Sequence, residues 1–339
     1  MKAVSLVQPR QVAIVEIPEP SLGPEDVLIE THFVGLCGSD LSAYRGLSPM
    51  VTFPRIPGHE VSGVVVARGA SVPSRIALGD RVMVSPYSNC GLCSACRLGR
   101  TNCCEHNQTL GVQRDGVLTG LFAIHYDKAF VSRSLSFEEL ALAEPLSVGY
   151  HAANRGQVSE VDTVLVLGCG TIGLGVIVAA ARKGARVIAV DVDEAKLAQA
   201  RRFGAWRAID SSREDVLTVV RDLTDGEGAS VAIEAIGLPQ TYRLAVEAVC
   251  FAGRVVYIGY AKHEVSYDTK LFVSKELDIR GSRNALHVFP AVLKMLEARE
   301  RPFAEMISQV YPFAESAAAL GDWDAAPGHF TKILIDTRA

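Results

Sequence analysis

Excess positive charge is missing from this chain: Lys and Arg number 34 against 38 Asp and Glu, a formal net charge of −4. A basic surface for phosphate backbones is therefore not expected, and nucleic acid is excluded as a partner. Long apolar runs are missing too. The longest uncharged stretch, Thr163 to Ala181, is interrupted by four glycines and followed by Arg182, Lys183 and Asp191, so no membrane span is expected. The opening MKAVSLVQPRQVAIVEIPEP reaches Pro9 and Arg10 after a very short apolar run. That run is too short for the hydrophobic region of a secretory signal, so a cytoplasmic location is expected. Apolar material itself is plentiful. With 49% hydrophobic and 21% charged residues over 339 positions, the composition excludes disorder and a disulfide miniprotein and predicts two domains or one large one.

Five of the eight cysteines fall between Cys90 and Cys104, which without an export signal favours metal ligation by thiolates over disulfides. Cys90, Cys93, Cys96 and Cys104 follow the spacing Cys-x2-Cys-x2-Cys-x7-Cys, which lets one lobe (about 88–106) present four thiolates tetrahedrally to Zn²⁺. A closed shell of that kind is structural, because no position remains for substrate. Cys103 is a possible substitute for the fourth ligand, and redox-active free thiols are the competing reading of the lobe. Cys169 and Cys250 read as packing residues.

The first 135 or so residues hold short β-type runs broken by Pro and Gly: AVSLV, VAIVEI, DVLIETHFV, EVSGVVVA and DRVMVS. From Ser136 the texture turns helical, in FEELALAEPLSVGYHAANRG. Strands are then expected at Thr163 to Leu167, Arg186 to Val190, Trp206 to Ile209, Ser230 to Ala235, Arg254 to Ile258 and Leu277 to Gly281, with helices between them. The fold class is thus α/β, a mostly β domain joined to a doubly wound parallel sheet. The tail predicts a helix (FPAVLKMLEARE), a Tyr-Pro-Phe turn, an Ala-rich helix and a last strand KILID that returns to the first domain. The expected division is 1–146 with 286–339, and 147–285 inserted between them.

VLVLGCGTIGLG carries Gly168, Gly170 and Gly173 in Gly-x-Gly-x-x-Gly spacing after a strand and opening a helix, the context of a dinucleotide site. The turn Gly168, Gly170, Thr171, Ile172 and Gly173 would receive pyrophosphate. Asp191 ends the next strand eighteen residues past Gly173, where a carboxylate accepts bonds from ribose hydroxyls and repels the extra phosphate of NADP; NAD is favoured. The competing reading makes the glycines a plain strand-to-helix turn and Asp191 a helix cap.

Two earlier segments, Cys37-Gly-Ser39-Asp40 and Gly58-His59-Glu60, offer thiolate and imidazole ligands that suit Zn²⁺. A catalytic zinc needs about three protein ligands and an open position, which leaves Glu60 and Glu144 as alternatives for the third. Taken singly, His59 is more often a hydrogen-bonded structural histidine and Cys37 a buried apolar residue; jointly they say more.

CGSD, PGHE, GDRV, the CxxCxxC lobe, EPLSVGYHA and VLVLGCGTIGLG, in this order and spacing over essentially the whole chain, resemble the zinc-dependent medium-chain dehydrogenases, which pair a GroES-like catalytic domain with a Rossmann domain. Glu144-Pro145 resembles the polyol, threonine and sugar dehydrogenases. PYSNCGLCSACRLGRTNCCE and GSRNA are most similar to the L-galactonate and L-gulonate 5-dehydrogenase subgroup. The resemblance implies two zinc ions per chain, NAD, a polyol or sugar-acid substrate, and a homodimer or homotetramer. It implies Cys37, His59 and Glu144 as catalytic zinc ligands with Glu60 able to approach the metal, Asp40 orienting His59, and Ser39 bonding the substrate hydroxyl. Ser42 stands where full proton relays have a histidine, and VLTGLFAIHY stands where relatives read GGFAEY. Arg283 and Asn284 fall where related sugar dehydrogenases approach nicotinamide, and Arg283 is a candidate for a substrate carboxylate. An L-threonine dehydrogenase-like enzyme and a non-catalytic NADH-binding protein are the alternatives.

Overall fold

The computed structural model describes residues 1–339 and divides into two compact units, Met1–Glu144 with Phe289–Ala339, and Pro145–Val288. In the first unit the strands are β1 (Lys2–Gln8), β2 (Gln11–Glu16), β3 (Asp26–Leu36), β4 (Glu60–Arg68), β5 (Arg81–Val84), β6 (Leu121–His125) and β7 (Ala129–Val131). The second unit contributes β8 (Thr163–Leu167), β9 (Arg186–Asp191), β10 (Arg207–Asp210), β11 (Ala229–Glu234), β12 (Val249–Tyr257) and β13 (Asp278–Gly281). The tail adds β14 (Ile307–Pro312) and β15 (Lys332–Asp336) to the first unit.

β1 and β2 form a hairpin, and the main sheet of the first unit runs β14-β15-β3-β4-β5-β7, with β6 on β3. β3 explains much of this arrangement. Its first half alternates between half-buried and buried residues, the period of a strand with one face on the core, and from Thr31 both faces are buried. Val4, Leu6, Val27, Ile29, Val34, Val61 and Ile333 fill that core. Expected helix through Phe137–Arg155 is two helices, Phe137–Ala141 and Ala143–Arg155. The first is started by a reciprocal pair in which Ser136 and Glu139 satisfy each other's backbone N–H groups.

Where a Tyr-Pro-Phe turn was expected, Tyr311 and Pro312 instead complete β14, paired in parallel with β15. β14 is an edge strand and Pro312 its last residue, so the missing N–H costs no ladder bond.

The second unit is a parallel sheet in the order β10-β9-β8-β11-β12-β13. β8 is buried throughout, as a central strand covered on both faces must be. β12 lies one strand in from the edge, which is β13. At the carboxyl end of β8 the chain turns at Gly168, whose φ is +99°, and enters the helix Thr171–Arg182. Gly173 packs so closely on this turn that a Cβ there would collide with the Gly168 carbonyl oxygen. No helix is long and apolar enough to cross a membrane.

Because the Gly168 carbonyl belongs to the backbone, Gly173→Ala must displace the turn. We expect the variant to unfold about 1–3 kcal/mol more easily than wild type in denaturant titrations. Unchanged stability would show that the turn yields freely.

Candidate active site

In the first unit, antiparallel pairing sets Gly35 of β3 opposite Glu60 of β4. Cys37, just past the end of β3, and His59, just before β4, are thereby drawn to the same point. Ligand atoms of Cys37, His59 and Glu60 lie within 4.8 Å of one another. The Glu60 carboxylate lies over Gly35, where a Cβ would collide with its Oε2. A thiolate, an imidazole and a carboxylate within such a span can converge on one zinc ion with modest closure.

Glu144 is buried, and its charge acts on both His59 and Lys332. Burial pushes its carboxyl up to about 7; the Glu60 charge adds to this, while His59 and a Tyr87 hydrogen bond pull back. Burial alone would lower the His59 pKa, but the Asp40 and Cys37 charges outweigh it and hold it well above the ordinary value. Asp40 Oδ2 accepts the Cys37 N–H at 2.8 Å and so secures the corner that carries Cys37. Its Oδ1 stands 4.0 Å from His59 Nδ1, beyond hydrogen-bond reach, and that nitrogen has no partner. Asp40 therefore faces His59 as a charge. Ser39 Oγ is likewise buried without a partner.

Two partners of this cluster escaped the sequence reading. Lys332, the first residue of β15, is buried, pairs with Glu60 Oε2, and donates to the Leu36 carbonyl at 2.9 Å. Burial works against its charge, but Glu60, Cys37 and Glu144 together raise its pKa above the ordinary lysine value. A lysine heading the otherwise apolar run KILI was the available signal. Tyr87 is buried and donates its hydroxyl to Glu144 Oε1; nothing in PYSNC distinguishes it from a surface tyrosine.

The cysteine lobe is built on a short helix, Ser94–Arg97, and a turn, Thr101–Cys103. The sulfurs of Cys90, Cys93, Cys96 and Cys104 lie within 4.8 Å of one another, and Cys103 is not in the group. No cysteine of the chain forms a disulfide. Backbone N–H groups of Leu92 and Cys93 point at Cys90 Sγ at 3.4 and 3.3 Å, and that of Cys90 points at Cys104 Sγ at 3.3 Å. Backbone donors draw the Cys93 thiol down to about 6, whereas burial and its bond to Cys93 push Cys96 up to about 12.

In the second unit, Gly170 is the first cap of the helix Thr171–Arg182, with no side-chain cap and open space where its Cβ would stand. Thr171 and Ile172 begin that helix. Backbone donors with room before them suit an anionic group such as pyrophosphate. Asp191, last in β9, accepts from the Cys169 N–H at 2.8 Å and from Val192 N–H at 2.8 Å, and so ties its strand end to the glycine turn. Cys169 is fully buried, as a packing residue would be, while Cys250 is only half-buried. Arg283 and Asn284 follow β13; Asn284 has φ +53°, and neither residue is free of interactions within the structure.

Glu234, at the end of β11, also escaped the sequence reading. It is fully buried, and its Oε1 accepts from the N–H groups of Ile236 at 2.9 Å and Gly237 at 2.8 Å and from the Thr241 hydroxyl at 2.8 Å. A carboxylate closing the apolar run SVAI was the signal.

Residues 171–298 match a family model described as zinc-binding dehydrogenase, and residues 23–132 match the alcohol dehydrogenase GroES-like domain. The chain is 35% identical to an uncharacterized zinc-type alcohol dehydrogenase-like protein of Haemophilus influenzae, over 98% of both chains. It is 31% identical to L-galactonate-5-dehydrogenase of Escherichia coli, covering 94% of this chain and 93% of the relative. An alcohol dehydrogenase from E. coli CFT073, solved in complex with NADH, superposes with a TM-score of 0.92 at 28% identity over 99% of both chains.

Replacing Lys332 by Met strands the Glu60 carboxylate in the interior, and denaturant unfolding should report a loss of about 3–5 kcal/mol. The double variant Glu60→Gln/Lys332→Met should recover most of that loss; no recovery would mean that Lys332 acts apart from Glu60.

Chelator-treated protein should show the raised Glu144 value directly. Between an ordinary pKa of 4.5 and the folded value of about 7, the folded state binds the extra proton, so this group's contribution to stability falls as pH rises through that window. Relative to Glu144→Gln, metal-depleted wild type should lose on the order of 3 kcal/mol across it. A difference that stays flat with pH would contradict the shift.

Proposed function

The chain belongs to the zinc-binding alcohol dehydrogenase family and is an enzyme of that class, and from this premise we propose that it oxidises a secondary alcohol of a polyol or sugar acid to a ketone with NAD. The observation that carries this reading is the Cys37–His59–Glu60 donor set within 4.8 Å, with the buried Glu144 carboxylate acting on His59. The donor set fits zinc in chemistry and span, and the unpartnered Ser39 hydroxyl supplies a polar atom for a ligand. Cys37, His59 and Glu60 would hold the ion, with Glu144 exchanging for Glu60. This differs from the family-based expectation, which gave Glu144 the resting position. The four clustered thiols of the cysteine lobe support a second, structural ion.

When bound, zinc and NAD supply Lewis-acid activation of an alcohol and a hydride acceptor. The chain's own residues do the rest. Ser39 Oγ, having no other partner, is suited to receive the proton of the substrate hydroxyl. Tyr87 and Lys332 hold Glu144 and Glu60 by one oxygen each, which limits the ways either carboxylate can turn. NAD rather than NADP is favoured by Asp191, whose carboxylate suits ribose hydroxyls and repels a phosphate. Glu144-Pro145 supports a hydroxyl-rich substrate, and the sugar-acid preference is supported by the likeness to L-galactonate-5-dehydrogenase.

Metal analysis of the purified protein should find about two zinc per chain. Cys93→Ser should remove the structural ion and His59→Ala the catalytic one. A screen of NADH formation over polyols, aldonates, hexuronates and L-threonine should give turnover with a polyol or aldonate, abolished in His59→Ala. Turnover with L-threonine alone would replace this reading with the amino-alcohol one. No turnover at full zinc content would favour a binding protein.

A further inference from the structure

Arg114 is half-buried on the loop between Thr109 and Gly116. Its Nε is shielded from solvent and has no hydrogen-bond partner. No carboxylate answers its charge: the adjacent Asp115 accepts at its Oδ1 from Arg55 Nη1 and from the Ile56 N–H, each at 3.1 Å. Burial consequently draws the Arg114 pKa below the ordinary arginine value, with no neighbouring charge to offset it. An arginine that has lost part of its hydration and gained no anion is a cost to the fold, and its planar fork of donors matches a carboxylate or phosphate.

The loop that carries Arg114 is firmly held. The Leu110 N–H donates to the Pro86 carbonyl at 3.1 Å, and Gly116 N–H donates to the Ile56 carbonyl at 2.7 Å. Val117 N–H donates to the Gly58 carbonyl at 3.1 Å, and a Cβ on Gly111 would stand 2.7 Å from the Gly58 nitrogen. Pro86 precedes Tyr87 and Gly58 precedes His59, so both anchors of the loop are chain neighbours of the buried cluster. That cluster is rich in negative charge, and Lys332 is committed to Glu60. An anionic substrate directed there needs a further cation, and Arg114 is a cation of the same unit with no anion of its own.

We propose that Arg114 determines specificity by receiving an anionic group, a carboxylate or phosphate ester, carried by the hydroxylated substrate. The proposal rests on the dehydrogenase reading and narrows its substrate to acids.

The test compares wild type, Arg114→Gln and Arg114→Lys for equilibrium binding of a hexonate, a hexitol phosphate and the uncharged hexitol, with Michaelis constants measured alongside. Wild type should bind one of the two anions about tenfold or more tighter than the hexitol, and which one identifies the group. Arg114→Gln should erase that advantage, leaving hexitol affinity and zinc content unchanged and the melting temperature no lower than that of wild type, while Arg114→Lys recovers part of it. Equal affinity of wild type for anions and hexitol, or an equal loss for all three ligands in Arg114→Gln, would overturn the proposal. Because binding is read without turnover, anion binding that depends on Arg114 in a protein that forms no NADH would sink the dehydrogenase reading and leave the anion site standing.

Discussion

Burying Glu60 and Glu144 beside the half-buried Cys37, around a single imidazole, is the constraint on which the first unit depends. Taking several negative groups out of water costs several kcal/mol per ion unless positive charge and hydrogen bonds accompany them. Lys332 supplies the positive charge, and Tyr87 supplies a hydrogen bond. The sheet order makes the first of these possible. β15, β3 and β4 are consecutive neighbours, so the residue that opens β15, the residue that follows β3 and the residue that opens β4 share one end of the sheet. Gly35 completes the arrangement, because the Glu60 side chain occupies the space that a β-carbon on β3 would take. A divalent cation in this pocket would relieve the same excess of negative charge that makes the bare cluster costly.

The second unit solves a different problem, which is to hold loops at the carboxyl ends of parallel strands. There the backbone runs out of sheet partners, and side chains at strand ends take over. Asp191 binds the N–H of Cys169 inside the glycine turn, and Glu234 binds two N–H groups and a hydroxyl of the loop that follows its own strand. Ile236 of that loop packs where a Cβ on Gly168 would stand, 2.6 Å from its Cγ1, so the two loops are fitted to each other. A dinucleotide site needs this kind of rigidity, since its backbone donors must keep their direction when the anion arrives.

The cysteine lobe follows a third logic. It has little apolar material of its own, and its exposed Leu92 and Leu98 do not close a core. Sulfur atoms gathered within 4.8 Å take the place of that core, and a bound ion would supply the cohesion that side-chain packing supplies elsewhere. The two candidate ligand sets thus lie in one unit but differ in chemistry: four like thiols in the lobe, and a mixed set with carboxylates around His59.

Much of this was legible in the one-dimensional pattern. The Cys-x2-Cys-x2-Cys spacing, the glycine fingerprint after a strand, and the six β-type runs alternating with helices are local, because each depends on residues close in the chain. By itself the sequence determined the two-unit α/β plan, the thiol lobe and the family. It did not disclose β14, since an edge position alone excuses Pro312, and it left open which glutamate stands beside Cys37 and His59. Lys332 lies 272 residues from Glu60, and no local signal relates them. Only the register of β15, β3 and β4 brings that ammonium, the thiol and the carboxylate together, because charge compensation in a buried site acts through space and not along the chain.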